Sequence, residues 1–124
     1  MSGKTVGEPI VRMAELEIDP ARLDDYTALL KEEIEASVEG ESGVLMLYAV
    51  SEKGKPAHIR ILEVYADQEA YEAHLRSPHF LKYKTLTSDM VESLRLVETD
   101  PIVLCDKANL SVGASPLRSK AIPI

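Results

Sequence analysis

An α+β fold of order β-α-β-β-α-β, the ferredoxin-like arrangement of one antiparallel sheet with its helices on one face, is predicted by three observations. Apolar residues switch along the chain between strand-like runs and helical spacings of three and four. The stretch SEKGKP at 51–56 divides two apolar runs by a link short enough for an antiparallel hairpin. Asp-Pro and Ser-Pro pairs stand where the two helical patterns begin or restart.

IVRMAELEI (10–18) is rich in β-branched and apolar residues and reads as the first strand. Asp19-Pro20 opens a helix, with Asp accepting from a free backbone N–H and Pro at a position where its missing donor costs nothing. Leu23, Tyr26, Leu30, Ile34 and Val38 form its apolar stripe, and Gly40 is the expected C-cap. VLMLYAVS (44–51) is a second strand, apolar on both faces. AHIRILEVY (57–65) is the third. Asp67 caps a second helix carrying Tyr71, His74 and Leu75. Ser77-Pro78 interrupts it, because proline disfavours helix in the residue before it, and Ser77 then caps a fresh helix. Phe80, Tyr83, Thr87, Val91 and Leu94 mark that helix's inner stripe. LRLVETDPIVL (94–104) supplies the fourth strand, ending near Asp100-Pro101.

A sheet covered on one side leaves a face open. The second strand places Val44, Met46, Tyr48 and Val50 on one side and Leu45, Leu47 and Ala49 on the other, too apolar for water. A second subunit is expected over Leu45, Leu47 and Ala49, giving a homodimer. Residues 1–9 are an arm, 10–104 the domain, and 105–124 an extension expected to pack on the body or on the partner.

The totals exclude several functions. The 124 residues suit one domain, 45% hydrophobic and 28% charged. A net charge of −7 argues against nucleic acid or an anionic membrane as partner. Cys105 stands alone, so no internal disulfide forms and a reducing compartment is expected. MSGKTVGEP lacks the apolar run of a signal peptide, and no stretch approaches the roughly 20 apolar residues of a membrane span. A cytoplasmic protein is expected. The chain carries no GxGxxG, GxxxxGK, HExxH or GxSxG. His74 and His79 are five apart across a proline break, so no metal site is expected on them.

Other residues can carry chemistry. Glu63 shares a strand face with Ile59, Ile61 and Tyr65. If that face meets the helices, desolvation favours its protonated form; an ion pair with Arg12, Arg60 or Arg95 is the alternative. His74 shares a helical face with Tyr71, and His79 with Tyr83. An imidazole can accept a proton or donate a hydrogen bond, although a helix-end surface position is the commoner fate of a histidine. Tyrosine hydroxyls gathered in one cavity suit a phenolic or quinol ligand.

The strand and helix ILEVYADQEAYEAHL, the run HLRSPHFLKY and the closing SLRLVETDPI resemble the antibiotic biosynthesis monooxygenase superfamily, in particular its small quinol monooxygenase branch, over residues 10–103. In that branch a strand ends in Glu, one residue and an aromatic, followed by a helical histidine and then Ser/Thr-Pro-His. Here these are Glu63, Tyr65, His74 and Ser77-Pro78-His79, with Tyr65 where Trp is common. The resemblance implies dimers with sheets packed face to face in a dimeric α/β-barrel type of assembly. It also implies oxidation of a small phenol or quinol by O2 without flavin or metal. In that reading His74 is the general base, or the donor that holds the substrate oxygen, and Glu63 a second catalytic group. Tyr48, Tyr65, His79, Phe80 and Tyr83 hold the small aromatic substrate. The haem-degrading branch fits poorly, because His74 stands at its Trp position and Lys84 at its haem-ligating His position. An isomerase or lyase using the same pocket, or a small-molecule-binding dimer without catalysis, are the alternatives.

Overall fold

A computed structural model describes residues 8–107. Its elements are β1 (Ile10–Ile18), a 3-10 turn (Pro20–Arg22), α1 (Leu23–Gly40), β2 (Val44–Glu52), β3 (Lys55–Tyr65), α2 (Gln68–Leu75), α3 (Pro78–Thr87) and β4 (Val91–Thr99). The sheet order is β2-β3-β1-β4, and each neighbouring pair runs antiparallel. This is the ferredoxin-like α+β fold, with the split βαβ unit expected from the order of the elements. The proposed packing of the extension falls largely on residues 108–124, outside the described residues. The described Ile102, Val103, Leu104 and Cys105 are exposed.

Local chemistry explains most element ends. The Asp19 carboxylate accepts from Ala21 N at 3.0 Å, Asp67 from Ala70 N at 2.8 Å, and the Ser77 hydroxyl from Phe80 N at 3.3 Å. Pro20 and Pro78 each sit in a first turn, where no donor is missed. Gly54, at φ +84°, closes the β2–β3 hairpin in a conformation that favours glycine.

Four expectations are corrected. Gly40 is the last residue of α1, and the cap is Glu41 in an extended conformation, so no left-handed glycine ends the helix. Val38 is 45% exposed, while Glu33 and Ser37 are buried. The inner stripe therefore runs Tyr26, Leu30, Glu33, Ser37, a spacing of four, three and four that a search for apolar residues misses. Val91 and Leu94 belong to β4, because α3 stops at Thr87 in a turn closed by Met90 N donating to Thr87 O at 2.9 Å.

The fourth correction concerns β2. Its register with β3 shifts between Val44 and Met46, so Val44 and Leu47 both turn towards the helices and are buried. Leu47 is thus core, and it cannot be the residue a partner covers. The open face carries Met46, Tyr48 and Val50, paired with Val64, Leu62 and Arg60 of β3. Tyr48 is 63% and Val50 61% exposed.

The core lies between sheet and helices, built from Ala14, Leu16 and Ile18, Ile59 and Ile61, Tyr26 and Leu30, and Tyr83 and Met90. A second cluster joins Val44, Leu47 and Tyr65, where α2 closes on β2 and β3. Gly43 marks that close approach: a Cβ there would meet Ala70 Cβ at 2.4 Å. Gly43→Ala is expected to cost about 1–3 kcal/mol by overpacking. A denaturant melt at wild-type stability would show that α2 shifts freely.

Candidate active site

A cavity of about 380 Å³ lies between the sheet and the helices. Its walls are mainly apolar, with Leu16, Leu30, Leu47 and Ile61 from the core and Leu94 and Leu96 from β4. Into it face Arg12, Glu33, Glu63, Tyr65, Tyr71, His74, Tyr83 and Lys84. Few polar groups in an apolar hollow are what a small organic ligand needs for orientation.

Strand register assembles the first polar group. Arg12 of β1 lies opposite Glu63 of β3 and Glu98 of β4. The Glu63 carboxylate accepts the Tyr65 hydroxyl at 2.9 Å. Burial raises the Glu63 pKa, and the Tyr65 hydrogen bond and the Arg12 charge offset this only in part. Tyr65 is itself held un-ionised by burial and by the adjacent Glu63. Arg12 stacks its guanidinium 4.3 Å from the Tyr71 ring centroid, donates from Nη1 to the Tyr71 hydroxyl, and leaves a buried Nε without a partner.

The second group is centred on His74, only 3% exposed. Its ring lies between Tyr65 and Phe80, with centroids at 5.3 and 4.9 Å. Nδ1 meets Glu41 Oε2 at 3.0 Å, and Nε2 lies 3.4 Å from Glu33 Oε2. The Ser37 hydroxyl donates to Glu33 Oε2 at 2.8 Å. Burial raises the Glu33 pKa against the opposing pull of Ser37 and His74. For Glu41 burial also pushes upwards, but the hydrogen bonds from His74 and His79 outweigh it and the pKa is lowered.

A third pair braces the helices. Tyr26 of α1 and Tyr83 of α3 join hydroxyls at 2.5 Å. Burial pushes Tyr26 up to about 12, despite the hydrogen bond to Tyr83, and raises Tyr83 as well. Both are neutral at ordinary pH.

Of the residues proposed from sequence, the structure brings Glu63, Tyr65, His74, Phe80 and Tyr83 to one cavity. Tyr48 does not join them. It projects from the opposite face of the sheet, because the register shift in β2 settles which side each residue takes. His79 is not among the lining residues either; its Nε2 meets Glu41 Oε2 behind the wall. The expectation that five-residue spacing keeps His74 and His79 apart is also corrected. The break at Ser77 re-aims the chain, and both rings converge on one carboxylate oxygen. Sequence reasoning missed Glu33, Glu41 and Ser37 and named Arg12 only as a possible ion-pair partner. Glu33 had a signal: it follows Leu30 by three and Tyr26 by seven, inside the helical stripe. Glu41 had none, since its role depends on where two other elements end.

Comparison with known proteins places the chain beside oxygenase-type relatives. The family described as "Antibiotic biosynthesis monooxygenase" matches residues 9–86. A crystal structure from Bacteroides thetaiotaomicron, provisionally named an antibiotic biosynthesis monooxygenase, is 50% identical, with a TM-score of 0.80. That match covers 83% of this chain and 100% of the other. A Caulobacter crescentus protein of the same provisional name is 17% identical over 79% of this chain and 93% of its own, with a TM-score of 0.73. A provisionally named monooxygenase from Lactobacillus acidophilus is 24% identical over 78% of this chain and 52% of its own, with a TM-score of 0.71. The last two share the fold alone. No curated protein matches the chain by sequence.

Proposed function

The chain belongs to the antibiotic biosynthesis monooxygenase family, and from that premise we propose that it is a monooxygenase that oxidises a small phenol or quinol with O2, without flavin or metal in the reaction. The observation that carries this reading is one apolar cavity onto which His74, Glu33 and Glu63 all open, with Arg12 beside them. Phenols are unreactive towards O2 until deprotonated. The protein's task is then to remove a proton in a dry place and to stabilise the anion that forms.

In this mechanism the substrate ring lies against Phe80 and Tyr65. His74, oriented by Glu41, accepts the substrate hydroxyl proton, with Glu33 beside Nε2. The phenolate passes one electron to O2, and the resulting superoxide joins the ring radical at a carbon that carries hydrogen. The proton from His74 completes a hydroperoxide. Glu63 removes the ring proton, the O–O bond breaks, and the leaving hydroxide takes that proton to become water. A phenol and O2 thus give a quinone and water, with no other reductant. The Arg12 charge favours both anions. Tyr71 and Tyr65 fix Arg12 and Glu63 rather than react.

We also propose a homodimer formed through the open sheet face, and a cytoplasmic location. Among the described residues no helix is long and apolar enough to cross a membrane.

Oxygen uptake with a panel of quinols and para-unsubstituted phenols tests the activity. Consumption of one O2 per quinone formed is expected. Ligand binding without oxygen uptake would favour the second reading, an isomerase or lyase on a small metabolite in the same pocket, or a small-molecule-binding dimer without catalysis. Arg12 and Lys84, both facing the cavity, support that alternative by offering positive charge to such a ligand.

Glu63 gives a separate test through stability. Its folded-state pKa lies above the unfolded value, so the folded protein binds the proton more tightly. Its stability contribution is therefore lost as pH rises from the ordinary carboxylate range through the raised value. Glu63→Gln is expected to melt higher than wild type at pH 8, to show a flatter pH dependence above pH 5, and to turn over more slowly. Melts at both pH values check this; an equal or lower melting temperature at pH 8 would mean Arg12 fully compensates the charge.

A further inference from the structure

We propose that Glu41, His74 and His79 form a binding site for one divalent first-row transition-metal ion of the zinc type, set behind the wall of the cavity. Three observations support it. Glu41 Oε2, His74 Nδ1 and a His79 ring nitrogen all lie within 4.8 Å of one another. Two imidazoles and one carboxylate form a recurrent zinc ligand set that leaves a position for water. Bonds of about 2.1 Å place tetrahedral ligand atoms about 3.4 Å apart, so small side-chain rotations suffice to admit an ion.

The second observation lies outside the ligands. A metal-bound histidine almost always donates its other ring N–H to a carboxylate, a backbone carbonyl or water, which fixes the ring. Here Nε2 of His74 lies 3.4 Å from Glu33 Oε2, and Glu33 is held in turn by Ser37 at 2.8 Å. A buried carboxylate on the far side of the ring is a usual support for a metal ligand.

The third observation is access. The Glu41 and His79 side chains are 16% and 24% exposed, so an ion can enter from solvent and keep a water, whereas His74 is enclosed. The three ligands also come from separate elements: the end of α1, the last turn of α2 and the first turn of α3. One ion therefore ties together the three segments that frame the cavity. Neither Glu41 nor His79 lines the cavity, so the ion does not touch a substrate there. It acts through His74 instead. With Nδ1 on the metal, the ring's one proton sits on Nε2 facing Glu33, so the metal-bound ring cannot accept a substrate proton and the ion switches off the base role proposed for His74.

Titration of the metal-stripped full chain with Zn2+, followed by calorimetry and native mass spectrometry, tests the site without reference to activity. About one ion per chain is expected. Glu41→Gln and His79→Ala should each weaken binding by about 100-fold or more, and Glu33→Gln by roughly 10–100-fold, the usual loss for an outer-shell partner. His58→Ala, on the distant hairpin, should bind as wild type. The imidazole 15N signals of His74 should show the proton on Nε2 once Zn2+ is bound. Circular dichroism of each metal-free variant establishes that it is folded. Absence of saturable binding, binding unchanged in both Glu41→Gln and His79→Ala, or binding lost in His58→Ala would each overturn the proposal.

Discussion

His74→Ala is expected to cut turnover of a competent quinol by about 100-fold or more, the usual scale for a general acid or base. A helix-end surface position, the commoner fate of a histidine, would make this change structurally mild. The structure revises that. His74 is buried between Glu33 and Glu41, so its removal leaves Glu33 with only the Ser37 hydroxyl, while Glu41 keeps His79. Buried groups left unsatisfied cost about 1–3 kcal/mol each, so a lower melting temperature accompanies the loss of rate. His74→Gln separates the effects, because an amide can still meet a carboxylate but cannot act as base. Low turnover in a well-folded His74→Gln protein supports the base role. Wild-type rates in either variant would remove His74 from the mechanism.

The second large effect concerns assembly. Val50→Asp is expected to convert a dimer to a folded monomer. Val50 and Tyr48 lie on the sheet face opposite the helices, so the protomer's own core does not need them. If two such faces meet, an aspartate there is buried without a partner at a cost of several kcal/mol, roughly a thousandfold or more in dissociation constant. Sedimentation velocity at micromolar concentration, with circular dichroism to verify folding, reads the result. A dimer as tight as wild type would place the interface elsewhere. Leu47→Asp, the variant suggested by simple alternation, cannot serve. Leu47 packs with Val44 and Tyr65 inside the protomer, and a charge there damages folding whatever the oligomer.

These cases show what was legible in the chain. Caps and breaks were, because Asp19, Asp67 and Ser77 act on donors two or three residues away. The inward face of β3 was too, since strict alternation put Glu63 among Ile59, Ile61 and Tyr65. The faces of β2 were not. A one-residue register shift exchanges the two sides, and nothing in VLMLYAVS marks it. The polar part of the inner stripe of α1 was hidden because a search for apolar residues at helical spacing passes over the carboxylate of Glu33 and the hydroxyl of Ser37. The meeting of Glu41, His74 and His79 depends on the ends of three elements, which local pattern does not fix.

The proposed chemistry is oxygenation of a phenol or quinol in the cavity between sheet and helices. Single-turnover reaction under 18O2, with mass spectrometry of the product, tests it most directly. One heavy oxygen is expected in the quinone and the other in water, with the rate of labelling about 100-fold lower in His74→Gln. An unlabelled product, or labelling at the wild-type rate in His74→Gln, would contradict it.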